Sequence, residues 1–145
     1  MTLVEMMIVV TLIALVAGIS YPSVTSGIET LQLRSAADSI VSLLNTSLER
    51  ADRRGQPVEI LISPKEGTLV ARSADAQFLK RIEIAKPLTI SDILPHLPVV
   101  DPEAPRRVIV YPGGAPPRIG IELSTPAGRK RKVMVDPVTG VPLSQ

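Results

Sequence analysis

Cysteine is absent from the chain, so disulfides, thiolate metal sites and thiol nucleophiles are excluded together. Tryptophan is absent as well, and Phe78, Tyr21 and Tyr111 are the only aromatic residues. A core must therefore be built from Val, Ile, Leu and Ala, and there is no set of rings on which bases could stack. The single histidine, His96, lies between prolines in Pro95-His96-Leu97-Pro98. It reads as a loop residue, because a catalytic base needs a nucleophile and an orienting partner. The sequence contains no G-x-S-x-G, no G-x-x-x-x-G-K and no G-x-G-x-x-G, which removes the hydrolase elbow, the phosphate loop and the dinucleotide fingerprint. Asp101 and Glu103 are close together but lack the ligand series of an EF-hand. The expectation is a protein without catalysis, cofactor or metal.

Charge of one sign is also in short supply. The 145 residues carry 16 basic and 14 acidic side chains, a formal net charge of +2. That balance lacks the broad excess of a dedicated nucleic-acid binder, so any such role must rest on a local cluster. The length suits one ordinary domain with an appendage.

The appendage is visible at once. From Leu3 to Ile19 the chain runs 17 residues with Glu5 as the only charge and Thr11 as a mild polar interruption. Such a run stands at the short end of the ~17 to 25 apolar residues that a membrane helix uses. A cleaved secretion signal would carry basic residues ahead of the run, and the first basic residue is Arg34. A domain this small has no layer that could surround a helix apolar on every side. The expectation is a transmembrane helix over residues 1–22. Within it Glu5 is the odd feature, since a carboxylate at mid-membrane costs about 2.5 to 3.5 kcal/mol and less near an end. Either it has a partner, or it snorkels to the interface and gains from the helix N-terminal dipole.

Met1-Thr2-Leu3-Val4-Glu5, followed by Met6-Met7-Ile8-Val9-Val10 and ending near Tyr21-Pro22, resembles the class III signal segment of type IV pilins and pseudopilins. The resemblance implies that a prepilin peptidase cuts just before Met1 and that the new N-terminal residue is methylated, although Phe is commoner than Met at that place. It leaves open whether Met1 is the processed N-terminus or a recorded start lacking the leader. It also implies that Glu5 meets the free N-terminal amine of an adjacent subunit during assembly. Such a pair selects register, because a misplaced subunit leaves charges unpaired.

Beyond Pro22, which can kink a helix or start one, Leu33, Ala37, Ile40, Val41, Leu44 and Leu48 recur at spacings of three and four. Arg34, Asp38, Glu49, Asp52 and Arg53 lie off this stripe, and Gly55 and Pro57 supply a stop. The spacing predicts an amphipathic helix over residues 23–54, about 48 Å long if helical throughout. After it the grammar changes to short β-rich runs over 58–63, 68–72, 79–84, 108–111, 119–124 and 133–136, broken by Pro- and Gly-containing turns. The expected fold class is α+β. A long N-terminal helix has a membrane-embedded first half, and its C-terminal half packs on a mainly antiparallel β-sheet head spanning residues 55–145.

Leu33-Arg34-Ser35-Ala36-Ala37-Asp38 and Leu48-Glu49-Arg50-Ala51-Asp52-Arg53-Arg54-Gly55-Gln56-Pro57-Val58 resemble the helix end and first strand of the GspH/FimT family. Val108-Ile109-Val110-Tyr111-Pro112-Gly113-Gly114, followed by Ile119-Gly120-Ile121, is similar to its later strand pair, while residues 75–106 carry the least likeness. The resemblance implies a minor pseudopilin at or near the tip of a type II secretion pseudopilus. It would be single-pass in a bacterial inner membrane, with its head in the periplasm and other pseudopilins or minor pilins as partners. Arg129-Lys130-Arg131-Lys132 offers the alternative. Some FimT-like proteins are thought to bind DNA through Gly-Arg-x-Arg, which Gly128-Arg129-Lys130-Arg131 matches, although in that group the motif lies at the C-terminal end. The plainer reading is a solvated hairpin edge whose charges deter strand pairing.

Overall fold

The computed structural model describes residues 2–74, 78–98, 101 and 103–145, with the side chains of residues 20–25 also left aside. The chain falls into two units, residues 1–32 and residues 33–145. A single helical assignment, α1 (Leu3–Arg54), runs from the first into the second.

In the first unit every large apolar side chain of the run is exposed, from 42% at Val9 to 78% at Leu3, so no described residue of that unit covers it. Thr11 satisfies its hydroxyl internally by donating to the Met7 carbonyl at 2.7 Å, which lets a polar residue sit in an apolar run. Among the described residues, however, no helix is long and apolar enough to cross a membrane. The 17 residues from Leu3 to Ile19 reach about 25 Å, short of a hydrocarbon layer of ~30 Å. The expected spanning helix is thus not found among the described residues.

In the second unit the helix buries Leu33, Ala37, Ile40, Leu43, Leu44, Ser47 and Ala51. The expected stripe is present but wider. Leu43 and Ala51 join it, Val41 and Leu48 are only partly buried, and Ser47 is tolerated because its hydroxyl donates to the Leu43 carbonyl at 2.7 Å. Gly55 ends the helix with φ of 63°, a left-handed residue that glycine adopts without steric cost. Asp52 ties this end to the turn at Pro112-Gly113-Gly114 by accepting the Gly113 N–H at 3.0 Å.

Eight strands follow: β1 (Val58–Ser63), β2 (Thr68–Ser73), β3 (Leu79–Glu83), β4 (Thr89–Leu94), β5 (Arg106–Val110), β6 (Gly120–Ser124), β7 (Lys130–Val135) and β8 (Pro142–Ser144). They form two antiparallel four-stranded sheets, in the orders β3-β2-β1-β5 and β4-β6-β7-β8. The α+β class and the antiparallel pairing agree with the sequence reading, whereas the single head sheet is corrected to two. The strands that complete the second sheet carry weak signals. β4 is bulged between Ile90 and Asp92, and β8 is three residues long and begins with proline.

One hydrophobic cluster joins the helix stripe to Val58, Ile60, Ile62, Leu69 and Ala71 of the first sheet and to Ile90, Ile93, Ile121, Leu123, Val133 and Val135 of the second. Arg106 links the sheets from β5 by donating through Nη1 to the carbonyls of Ile93 at 2.9 Å and Pro95 at 2.6 Å. On the helix side, Lys80 donates to the Thr46 hydroxyl at 3.2 Å, and the Arg50 guanidinium lies 5.3 Å from the centre of the Phe78 ring.

Candidate functional site

A helix N-terminus leaves four backbone N–H groups without intrahelical partners. At the start of α1, Thr2 and Glu5 meet two of these needs. The Glu5 N–H donates to the Thr2 hydroxyl at 3.3 Å, and the Thr2 N–H donates to Glu5 Oε2 at 3.4 Å. The Thr2 carbonyl accepts the Glu5 N–H at 3.1 Å and the Met6 N–H at 3.2 Å, so the first turn closes on Thr2. This is a capping box, the reciprocal arrangement that Thr-x-x-Glu produces. The signature stands in the sequence as Thr2-Leu3-Val4-Glu5, and reading Glu5 as an isolated charge overlooks it.

The geometry gives Glu5 a first partner in its own backbone. The same carboxylate stands exposed in the first helical turn, where a positive group from outside the chain can reach it. Met1, the expected site of processing and methylation, lies outside the described residues.

The basic run does not form one patch. Gly128, with φ of 82°, closes the β6–β7 hairpin by donating to the Thr125 carbonyl at 2.9 Å. Thr125 and Arg129 face each other across that turn. β7 then begins at Lys130, and strand alternation sends successive side chains to opposite faces. Lys130 and Lys132 lie on the outer face in register with Ser124 and Glu122. Arg131 pairs with Leu123, shares the face of Val133, and is half-buried with an Nε that has no hydrogen-bond partner among the described residues. Three of the four cations thus belong to a strand, and one of these turns inward.

Lys130 is also neutralised locally. Its Nζ lies 2.8 Å from Glu122 Oε1, which accepts the Ser91 hydroxyl at 3.0 Å as well. The Lys130 hydrogen bond, then that from Ser91, holds the Glu122 carboxyl below the usual carboxylate range, and Glu122 in turn raises the Lys130 ammonium. A similar group stands on the outer face of the first sheet. Glu59 on β1 accepts from Arg72 Nε and lies 3.2 Å from Arg107 Nη1, and its carboxyl is lowered chiefly by the Arg72 hydrogen bond. The sequence gives no hint of this triplet, because its members are 13 and 48 positions apart and meet only through strand register.

His96, expected in a loop, lies just after β4 and places Nε2 2.7 Å from Asp92 Oδ2, with its side chain 71% exposed. Among the described residues no three His, Cys, Asp or Glu side chains gather in a way that could hold a metal ion. Asp101 accepts the Glu103 N–H at 3.0 Å, and Glu103 lies 3.4 Å from Lys65. Set beside protein-family models, curated proteins and solved structures, the chain matches none of them.

Proposed function

We propose that the chain is a minor pseudopilin resembling the GspH/FimT family, a structural subunit that enters a secretion pseudopilus through its N-terminal helix. The observation that carries this reading is the first unit itself. A capped helix exposes apolar side chains on every side from Leu3 to Ile19 and bears a single carboxylate, in its first turn. Such a surface is stable only when lipid or other apolar helices cover it.

The run serves as a short anchor in an inner membrane. A bilayer meets a stretch about 5 Å too brief by thinning or by drawing flanking polar groups to the interface, at a fraction of a kcal/mol per Å. Once in a filament, the same surface is covered by the helices of neighbouring subunits. Glu5 then exchanges its contact with the Thr2 N–H for the terminal amine of a neighbour. The head, on this reading, stays in the periplasm and contacts other pseudopilins.

The DNA-uptake alternative draws less support. Of the four cations it needs, Lys130 is paired with Glu122 and Arg131 is turned toward the core side of its sheet. A photo-crosslinking residue placed at Leu12, 57% exposed in mid-run, tests the proposal in cells. Adducts with the N-terminal helices of other pilin-like subunits are expected. Adducts confined to lipid, or to proteins without such a helix, would refute filament entry.

A further inference from the structure

The outer face of the second sheet carries a groove of about 520 Å³ whose lining includes Leu94, Pro95, Gly120, Met134 and Pro137, with Arg118 as its one charged residue. Register explains its shape. Leu94 on β4, Gly120 on β6, Met134 on β7 and Leu143 on β8 form one row across the sheet, with glycine as the low point. A Cβ at Gly120 would come within 3.3 Å of both Leu94 Cβ and Lys132 Cε, so a side chain there would fill the floor. No described carboxylate pairs with Arg118, and no acidic residue lines the groove.

We propose that this groove binds an alkyl carboxylate, its chain laid along the apolar row and its carboxylate at Arg118. The charge argument selects an anion, because among the described residues Arg118 has no carboxylate partner and the Lys132 side chain, which reaches the Gly120 floor, adds positive charge rather than negative. The hydrogen-bond argument selects an alkyl chain over a peptide. The walls offer few backbone partners. Pro95 and Pro137 have no N–H, and the carbonyls of Ile93 and Pro95 already accept from Arg106. The Ile119 and Val135 N–H groups donate to Pro117 and Ile119. A peptide laid in the groove would leave its own amides unsatisfied, at a cost that an alkyl chain does not incur.

The four methionines supply an internal control. Met134 lines the groove, whereas Met1, Met6 and Met7 belong to the N-terminal segment. The test uses the full chain, labelled with ¹³C at the methionine methyls and held in digitonin, which has no n-alkyl chain. It is titrated separately with sodium decanoate and with decanol. The expected result is a saturable shift of the Met134 methyl by decanoate, with the other three methyls unmoved and decanol weaker. Arg118→Gln, an exposed substitution that spares the fold, should raise the apparent Kd for decanoate about two- to five-fold, the range of an exposed ion pair. Gly120→Ala should weaken binding of both ligands. Parallel shifts of all the methyls, or equal affinities for decanoate and decanol with no effect of Arg118→Gln, would overturn the site. Saturation of Met134 by a Leu-terminated decapeptide but not by decanoate would overturn the alkyl acid in favour of a peptide.

Discussion

Leu44→Asp should unfold residues 33–145, and the size of the effect follows from burial. Leu44 is 1% exposed and belongs to the cluster shared by the helix and both sheets. Removing a buried leucine side chain costs about 2 to 5 kcal/mol. An aspartate there must also be neutral, and protonating a group of ordinary pKa ~3.9 at pH 7 adds about 4 kcal/mol. The sum, roughly 6 to 9 kcal/mol, rivals the whole stability of a unit of 113 residues, about 6 to 17 kcal/mol at ~0.05 to 0.15 per residue. The division before Leu33 means that a fragment beginning at Ile28 retains every buried residue of the helix, and it should be soluble without detergent. Urea titration of that fragment, followed by circular dichroism, gives the numbers. Leu44→Ala should lose about 2 to 5 kcal/mol, while Arg34→Asp, on the exposed side of the same helix, should stay within ~0.5 kcal/mol. A cooperative transition for Leu44→Asp near that of the wild type would show that the helix face has been misassigned.

Arg106→Met should keep the packing of the stem but free the carbonyls of Ile93 and Pro95, lowering stability by about 1 to 3 kcal/mol, readable in the same titration. Glu59→Gln should lower stability at neutral pH, and its difference from wild type should shrink under acid. The folded carboxyl titrates below its ordinary value of 4.5, so its contribution is present above that value and is lost as pH falls through the lower folded pKa. A difference that persists unchanged at strongly acidic pH would remove the charge pairing with Arg72 and Arg107. Duplex DNA should bind weakly at physiological salt. If Arg129, Lys130 and Lys132 all met phosphates, the slope of log K against log salt would be about −2.7, and a steeper slope would return Arg131 to the surface.

The sequence made some of this legible for definite physical reasons. Helix spacing marked Leu33, Ala37, Ile40 and Leu44 because an amphipathic face repeats locally, and β1 was bounded correctly because Val58 to Ser63 alternates between turn signals. The pattern marks β7 only from Val133, since lysine and arginine at 130–132 conceal a strand that its partners β6 and β8 impose. β4 carries no strand pattern because the bulge at Ser91 breaks its alternation. The splitting of the basic run follows from that longer β7, and the Glu59 triplet follows from register between distant strands. Neither is written in any local pattern. The capping box was written locally, in Thr2 and Glu5, but was obscured by the cost of a charge in an apolar run.

The proposed pairing of Glu5 with a neighbour's amine is separable from its capping of its own helix. Glu5→Gln keeps a residue able to close the capping box while removing the charge, whereas Glu5→Ala removes both. The measurement is the fraction of each full-length variant that crosslinks to neighbouring filament subunits in cells, normalised to the amount recovered with the membrane. Gln and Ala variants should both reach the membrane and both fail to join subunits, because on the proposed reading only a carboxylate meets the terminal amine of a neighbour. Assembly of Glu5→Gln at the wild-type level would contradict it, and would leave Glu5 as the cap of its own helix.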